Sequence, residues 1–226
     1  IIPALAEYIE RPLQKFGVSI VNVNSTALLR YSKIFQRVDG NLMGIPVACV
    51  TDRDIPPKIA KDTELVMATR KTENEYSDEA LKTKVAEKKA KYEGGDVKTY
   101  LSPKWTLEYD IALSPLKEIM HRAIQMAIAT DDLEKIITKK EIETVKRQCK
   151  DEIDKWKQDG KPDDEIASLI YEPLINKQAS KAVVAQLFSV MLLNTKHKDP
   201  IPVSDLEADP NLKYLIDAIN YTTRKK

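Results

Sequence analysis

Two short, wholly apolar stretches set between helical patterns constrain this chain most. VSIVNV at 18–23 and IPVACV at 45–50 are rich in β-branched residues and carry no charge. A strand with one wet face alternates apolar and polar residues, whereas a strand buried on both faces is apolar throughout. Helical spacing surrounds the two stretches. Ile1, Leu5, Ile9, Leu13 and Phe16 recur at helical intervals over 1–16, and Gly17 is a natural stop. A second helix runs from capping residues Asn24 and Ser25 to about Arg37, on Leu28, Leu29, Ile34 and Phe35. This helix–strand–helix–strand order predicts an α/β fold with a parallel sheet covered on both faces by helices.

After Asp54 the character changes. Ile55-Pro56-Pro57 halts regular structure, and 75–93 reads as a highly charged helix anchored only by Leu81 and Val85. Its acids and bases balance, which favours a solvated insertion over a DNA-facing arm. VKTYL at 97–101 predicts a third strand. From Pro115 to about Lys157 the chain is helical, first on a wide apolar face (Leu116 to Ile128), then on the stripe Ile142, Val145, Cys149, Ile153 and Trp156. Further helices are expected at 163–171, at 181–193 behind Ser180 as cap, and at 211–221. The expected division is an α/β core over 1–114 with a charged insertion at 58–96, a helical subdomain over 115–178, and helices returning to the core over 179–226.

A chain of 226 residues buries a sizeable core without staples. Lys plus Arg number 36 against 35 for Asp plus Glu, a net charge of +1. That excludes a pervasive polycation, so any nucleic acid would have to engage a local patch. No uncharged run reaches the roughly 18–20 residues of a bilayer span, and no membrane association is expected. Cys49 and Cys149 form no CxxC pair, which argues against a disulfide framework or a zinc site and for a reducing cytoplasm. The first residue is Ile within an apolar helical pattern, so the sequence reads as a piece of a longer polypeptide. There is no Walker loop, no GxGxxG and no Ser-His-Asp order.

The sharpest chemical feature is Val50-Thr51-Asp52-Arg53-Asp54. In open parallel sheets, ligands bind at the carboxyl ends of strands. Asp is a poor strand former, and two ionised neighbours repel unless a cation holds both. Oxygen-only ligands favour Mg²⁺ or Mn²⁺ over Zn²⁺. The structural alternative is a turn in which Asp54 caps the next segment. Thr106-Leu107-Glu108-Tyr109-Asp110 adds acids to the same edge if its strand neighbours the first; alternatively Glu108 or Asp110 caps a helix or faces water. Lys181 opens an apolar helix. It would neutralise charge on a transferring phosphoryl group if it reached the acids, and is otherwise a solvated first-turn lysine. His121 lies among apolar helix positions and reads as packed, and His197 reads as an exposed loop residue.

Taken in order, a strand ending in VTDRD, then TLEYD, then a late SKxxxAQ helix resembles the nuclease half of the OLD (overcoming lysogenization defect) family, a Toprim domain. IIPALAEYI resembles the first Toprim helix. The resemblance implies a DNA endonuclease dependent on divalent metal, Mg²⁺ or Mn²⁺ and two ions, joined to an upstream ATPase domain in the same polypeptide, homo-oligomeric and acting in phage defence. It implies Asp52 and Asp54 as metal ligands, Glu108 as a further ligand, Asp110 as a weaker one, and catalytic roles for Asp52 and Lys181. The family also carries a glutamate motif directly before its first helix. That motif does not lie within these residues, and Glu7 and Glu10 stand too far along the helix to replace it.

Two other readings compete. A phosphotransferase with a nucleophilic aspartate would also place DxD after an apolar strand, but Ile-Pro-Pro after Asp54 fits it poorly. A non-catalytic assembly module would use 115–226 as an interface around an inert sheet.

Overall fold

The computed structural model describes residues 1–130 and 139–224. Along the chain stand α1 (Ile2–Tyr8), α2 (Asn24–Ile34), β1 (Val47–Thr51), α3 (Ile59–Asp62), α4 (Asp78–Tyr92), β2 (Val97–Leu101), α5 (Leu107–Leu113), α6 (Lys117–Thr130), α7 (Lys139–Gln158), α8 (Asp163–Ile175), α9 (Lys181–Lys198), α10 (Val203–Ala208) and α11 (Lys213–Thr222). The fold is mostly helical around one two-stranded parallel sheet, in keeping with a Toprim-like α/β class. The part of the expected 115–157 helical run that falls on 131–138 lies outside the described residues.

β1 and β2 pair in parallel from Val47 opposite Val97 to Thr51 opposite Leu101, so both strands end at the same rim. Alternation sorts the side chains to two faces. Cys49 and Val97 pack with Tyr92 of α4 and with Leu28 and Phe35. On the other face Val50 and Tyr100 join the main core, and Tyr100 lies 6.2 Å from Tyr221 of α11. The apolar run Val47–Val50 of β1 follows from this double cover.

VSIVNV is not a strand. Residues 18–23 have no regular structure, and Ile20 and Val21 are 49% and 67% exposed. β-branched residues fit a pleated surface, but a strand exists only where a neighbour completes its ladder. Among the described residues no strand lies alongside this stretch. The helical pattern over 1–16 likewise divides: Pro12 follows the end of α1, and Leu13–Phe16 forms a single 3₁₀ turn closed by Gly17 at φ 65°.

The main core runs from α1 to α11. Val184, Phe188 and Leu192, at four-residue spacing on α9, are fully buried and pack with α6 and α1. Phe188→Ala should therefore destabilise the protein by about 3–5 kcal/mol, read from urea unfolding at constant slope. A loss under about 1 kcal/mol would show that α9 is not seated in this way. Trp105, Tyr109 and Tyr171 stack edge to face at 5.1–5.9 Å, locking α5 against α8. His121 is buried, and its Nε2 meets Glu152 Oε2 at 2.7 Å across α6 and α7, which is a packing role. His197 is exposed, in the last turn of α9 rather than in a loop. Cys49 and Cys149 are buried free thiols. Among the described residues no helix is long and apolar enough to cross a membrane.

Candidate functional site

Asp52 follows β1 directly, and a set of short polar contacts fixes its direction. Ser102 N–H donates to Thr51 O at 3.1 Å, and Arg53 N–H donates to both Trp105 O (3.1 Å) and Ser102 Oγ (2.9 Å). The segments after the two strands are thereby stitched together. Asp52 Oδ1 then accepts the N–H of Leu107, the first residue of α5, at 3.0 Å across 55 positions of sequence. A carboxylate suits that place, because the first amides of a helix lack partners within it.

Glu108 is in the first turn of α5, and its side chain is 13% exposed. Its Oε2 takes a 3.1 Å ion pair from Lys181 Nζ, 73 residues later. A cation at the start of a helix opposes the helix dipole, so Lys181 does not serve α9 itself. Ser180 stands at the cap position, but its hydroxyl makes no cap bond. Lys181 Nζ also lies 5.7 Å from the centre of the Tyr171 ring. Burial pulls its ammonium down, but Glu108, Tyr171 and Asp52 together hold it above its ordinary range. Asp52 moves the other way for a carboxyl. Burial first, and then the neighbouring charge of Glu108, push it up to about 6.

The structure thus brings Asp52, Glu108 and Lys181 to one rim, the carboxyl end of a parallel pair. The four expected carboxylates do not form one donor set, and among the described residues no three Asp, Glu, His or Cys side chains gather closely enough to hold an ion. Two local causes account for this. Asp54 takes a left-handed backbone (φ 64°), and its carboxylate turns out to an ion pair with Lys88 of α4 while its carbonyl accepts from Arg70 at 2.9 Å. Asp110 turns inward. It is fully buried, its Oδ1 accepts Trp105 N–H at 3.2 Å, and burial pushes it up to about 8. At neutral pH it is therefore mostly a protonated acid, not a charged ligand.

Three further residues shape the site without any motif to announce them. Tyr171 lies under Lys181. Tyr214 of α11 is buried, its hydroxyl has no partner among the described residues, and burial together with the charges of Asp110, Asp52 and Glu108 raises its phenol well above 10. Arg53 is 8% exposed and pairs with Glu73 at 2.8 Å, anchoring the turn between Asp52 and Asp54. In sequence, Tyr214 reads only as one more apolar position of an amphipathic helix.

Residues 1–54 match the family profile described as "Overcoming lysogenization defect protein-like, TOPRIM domain". Over these residues the chain is similar to an OLD-like Toprim region. The matched stretch ends on Asp54, so the DxD acids belong to it, whereas Glu108 and Lys181 lie outside it. No curated protein and no solved structure matches the chain. A Toprim region points to nucleic-acid processing with bound divalent metal.

The residues present fit one such cation. Asp52 and Glu108 are hard oxygen donors whose mutual repulsion already raises Asp52, the imbalance a cation would relieve. Asp110 Oδ2 and the Tyr214 hydroxyl are buried and have no hydrogen-bond partner among the described residues. A Mg²⁺ ion is commonly held by only one or two protein carboxylates and completes its shell with water.

Proposed function

We propose that this chain is the nuclease part of a larger OLD-family protein and hydrolyses DNA phosphodiester bonds with Mg²⁺ or Mn²⁺. On this reading the polypeptide also carries an upstream ATPase domain, assembles as a homo-oligomer in the cytoplasm, and acts in phage defence. The observation that carries the reading is the meeting of Asp52, Glu108 and Lys181 at one strand rim, from three separated stretches of sequence.

Asp52 and Glu108 would hold a cation, whose chemistry is to polarise the phosphate and lower the pKa of bound water. The rest falls to the chain. Lys181 is half exposed, held by Glu108 and over the Tyr171 ring, so its ammonium keeps a solvent-facing side from which to donate to a phosphate oxygen as charge develops there. The Leu107 amide keeps Asp52 aimed at the rim. The 1–114, 115–178 and 179–226 division gives these parts distinct tasks: the first supplies the acids, the second supports α5 through Tyr171, and the third returns Lys181.

Conversion of supercoiled plasmid to the nicked or linear form tests the reading, with metal and with EDTA. Lys181→Ala should still bind Mn²⁺ by calorimetry while turnover falls about 10²-fold. Equal turnover in the variant, or cleavage that persists in EDTA, would overturn the assignment. A small phosphate monoester in place of plasmid checks the phosphotransferase alternative. An assembly module would show no Mn²⁺ binding that depends on Asp52.

A further inference from the structure

The balanced charge of the 75–93 segment conceals an uneven distribution. Asp78 and Glu79 lie in the first turn of α4, and beyond them Lys82, Lys84, Lys88, Lys89 and Lys91 share the helix with one acid, Glu87, while Glu93 stands just past its end. At 100° per residue, Lys84, Lys88 and Lys91 fall on one flank of the helix, with Glu87 at its border, and Lys82 and Lys89 fall on the other. Leu81, Val85 and the buried Tyr92 lie between the flanks, where α4 packs against β2.

The first flank is joined to the candidate site. Lys88 pairs with Asp54, two residues from Asp52, and Arg70 donates to the Asp54 carbonyl. One turn back, Lys84 and Lys71 both lie over the ring of Tyr76, at 5.4 and 5.8 Å. Among the described residues, Lys71, Lys84 and Lys91 have no carboxylate within ion-pair distance. Two ammonium groups held at one ring repel each other, and a polyanion lying across them would relieve that repulsion. Lys84 to Lys91 spans about 10 Å of helix, enough to follow successive backbone phosphates towards the rim.

We infer that this flank of α4, with Arg70 and Lys71, is the surface that binds the DNA phosphate backbone and lays it across the Asp52–Glu108 rim. The inference rests on the nuclease reading for its substrate, yet binding is measured apart from cleavage. Within this flank Lys88 is the residue joined to the acids, through Asp54. In the free protein it neutralises Asp54, and with DNA bound it contacts phosphate, which leaves Asp54 open.

Fluorescence anisotropy with a labelled 30-base-pair duplex in EDTA, between 50 and 200 mM salt, tests it on the full chain. Lys84→Ala with Lys91→Ala should weaken binding about tenfold at low salt and reduce the salt slope by about 1 per lysine. Lys82→Ala with Lys89→Ala removes equal charge from the opposite flank and should change affinity less than twofold. Circular dichroism checks that both variants keep their helix content. Equal weakening by the two pairs would mean that only net charge matters, and no weakening by the first would mean that DNA lies elsewhere; either overturns the inference. If the wild type cleaves DNA and the first pair binds normally, the nuclease reading stands and this surface falls. If binding depends on the flank but no condition gives cleavage, the surface stands and the nuclease reading falls.

Discussion

Asp52→Asn should abolish Mn²⁺-dependent plasmid nicking, by about 10²–10³-fold or more, while the protein remains folded. Asn keeps an oxygen to accept the Leu107 amide, so the joint between β1 and α5 survives. What it lacks is the negative charge that, with Glu108, would hold a cation. Its effect on stability has a defined sign. Asp52 titrates near 6 in the folded chain and near 3.8 in the unfolded one, so its favourable contribution is present below about pH 4 and is lost as pH rises through about 6. In EDTA at pH 7.5 the Asn variant should melt slightly higher than the wild type. Mn²⁺ should raise the wild-type melting temperature and leave that of the variant unchanged. A variant that nicks plasmid at the wild-type rate would remove Asp52 from the chemistry.

A larger stability effect is expected at Asp110, with no metal present. Burial pushes this carboxyl from an ordinary value of 3.8 up to about 8. Between those values the folded protein keeps a proton that the unfolded chain has released. Its contribution is therefore complete below about pH 4 and declines steadily towards pH 8. Asp110→Asn has no proton to lose and retains the acceptor for Trp105 N–H. The variant should match the wild type at pH 4 and exceed it at pH 8 by a few kcal/mol, roughly 5–10 °C in melting temperature. Thermal melts in EDTA across that range supply the measurement. A difference independent of pH, or a variant less stable at pH 8, would show that Asp110 is ionised in the folded protein and able to serve as a ligand.

Where the signal was local, the sequence was legible. The spacing of Val97–Leu101 marked β2 in full, and the apolar run ending at Val50 marked β1 to within two residues. The amphipathic stripes of α6 and α11 are equally clear, because burying one face of a helix requires apolar residues at that period, whereas α9 is apolar nearly all round and leaves Val183 and Val190 exposed. VSIVNV is not a strand because β propensity describes a residue's fit to a sheet, and among the described residues no adjoining strand receives it. At the candidate site, residue type singled out Asp52, Glu108 and Lys181, and their positions at a strand end and at two helix starts supported the choice. By residue type Asp54 and Asp110 read as ligands as well. A left-handed backbone and Lys88 turn the first outward, and the Trp105 amide draws the second inward, contacts that no local pattern carries.

By itself, then, the order of residues determined the α/β class, most helices and both strands, and it offered the acids and the lysine as candidates, since each depends on a periodicity or a chemical type that near neighbours carry. Only the tertiary structure decided which carboxylates share a rim, which one is protonated and which flank of α4 borders the site. Those outcomes depend on burial and on partners as far as 73 residues away, and electrostatic energies depend on distance in space, not separation along the chain.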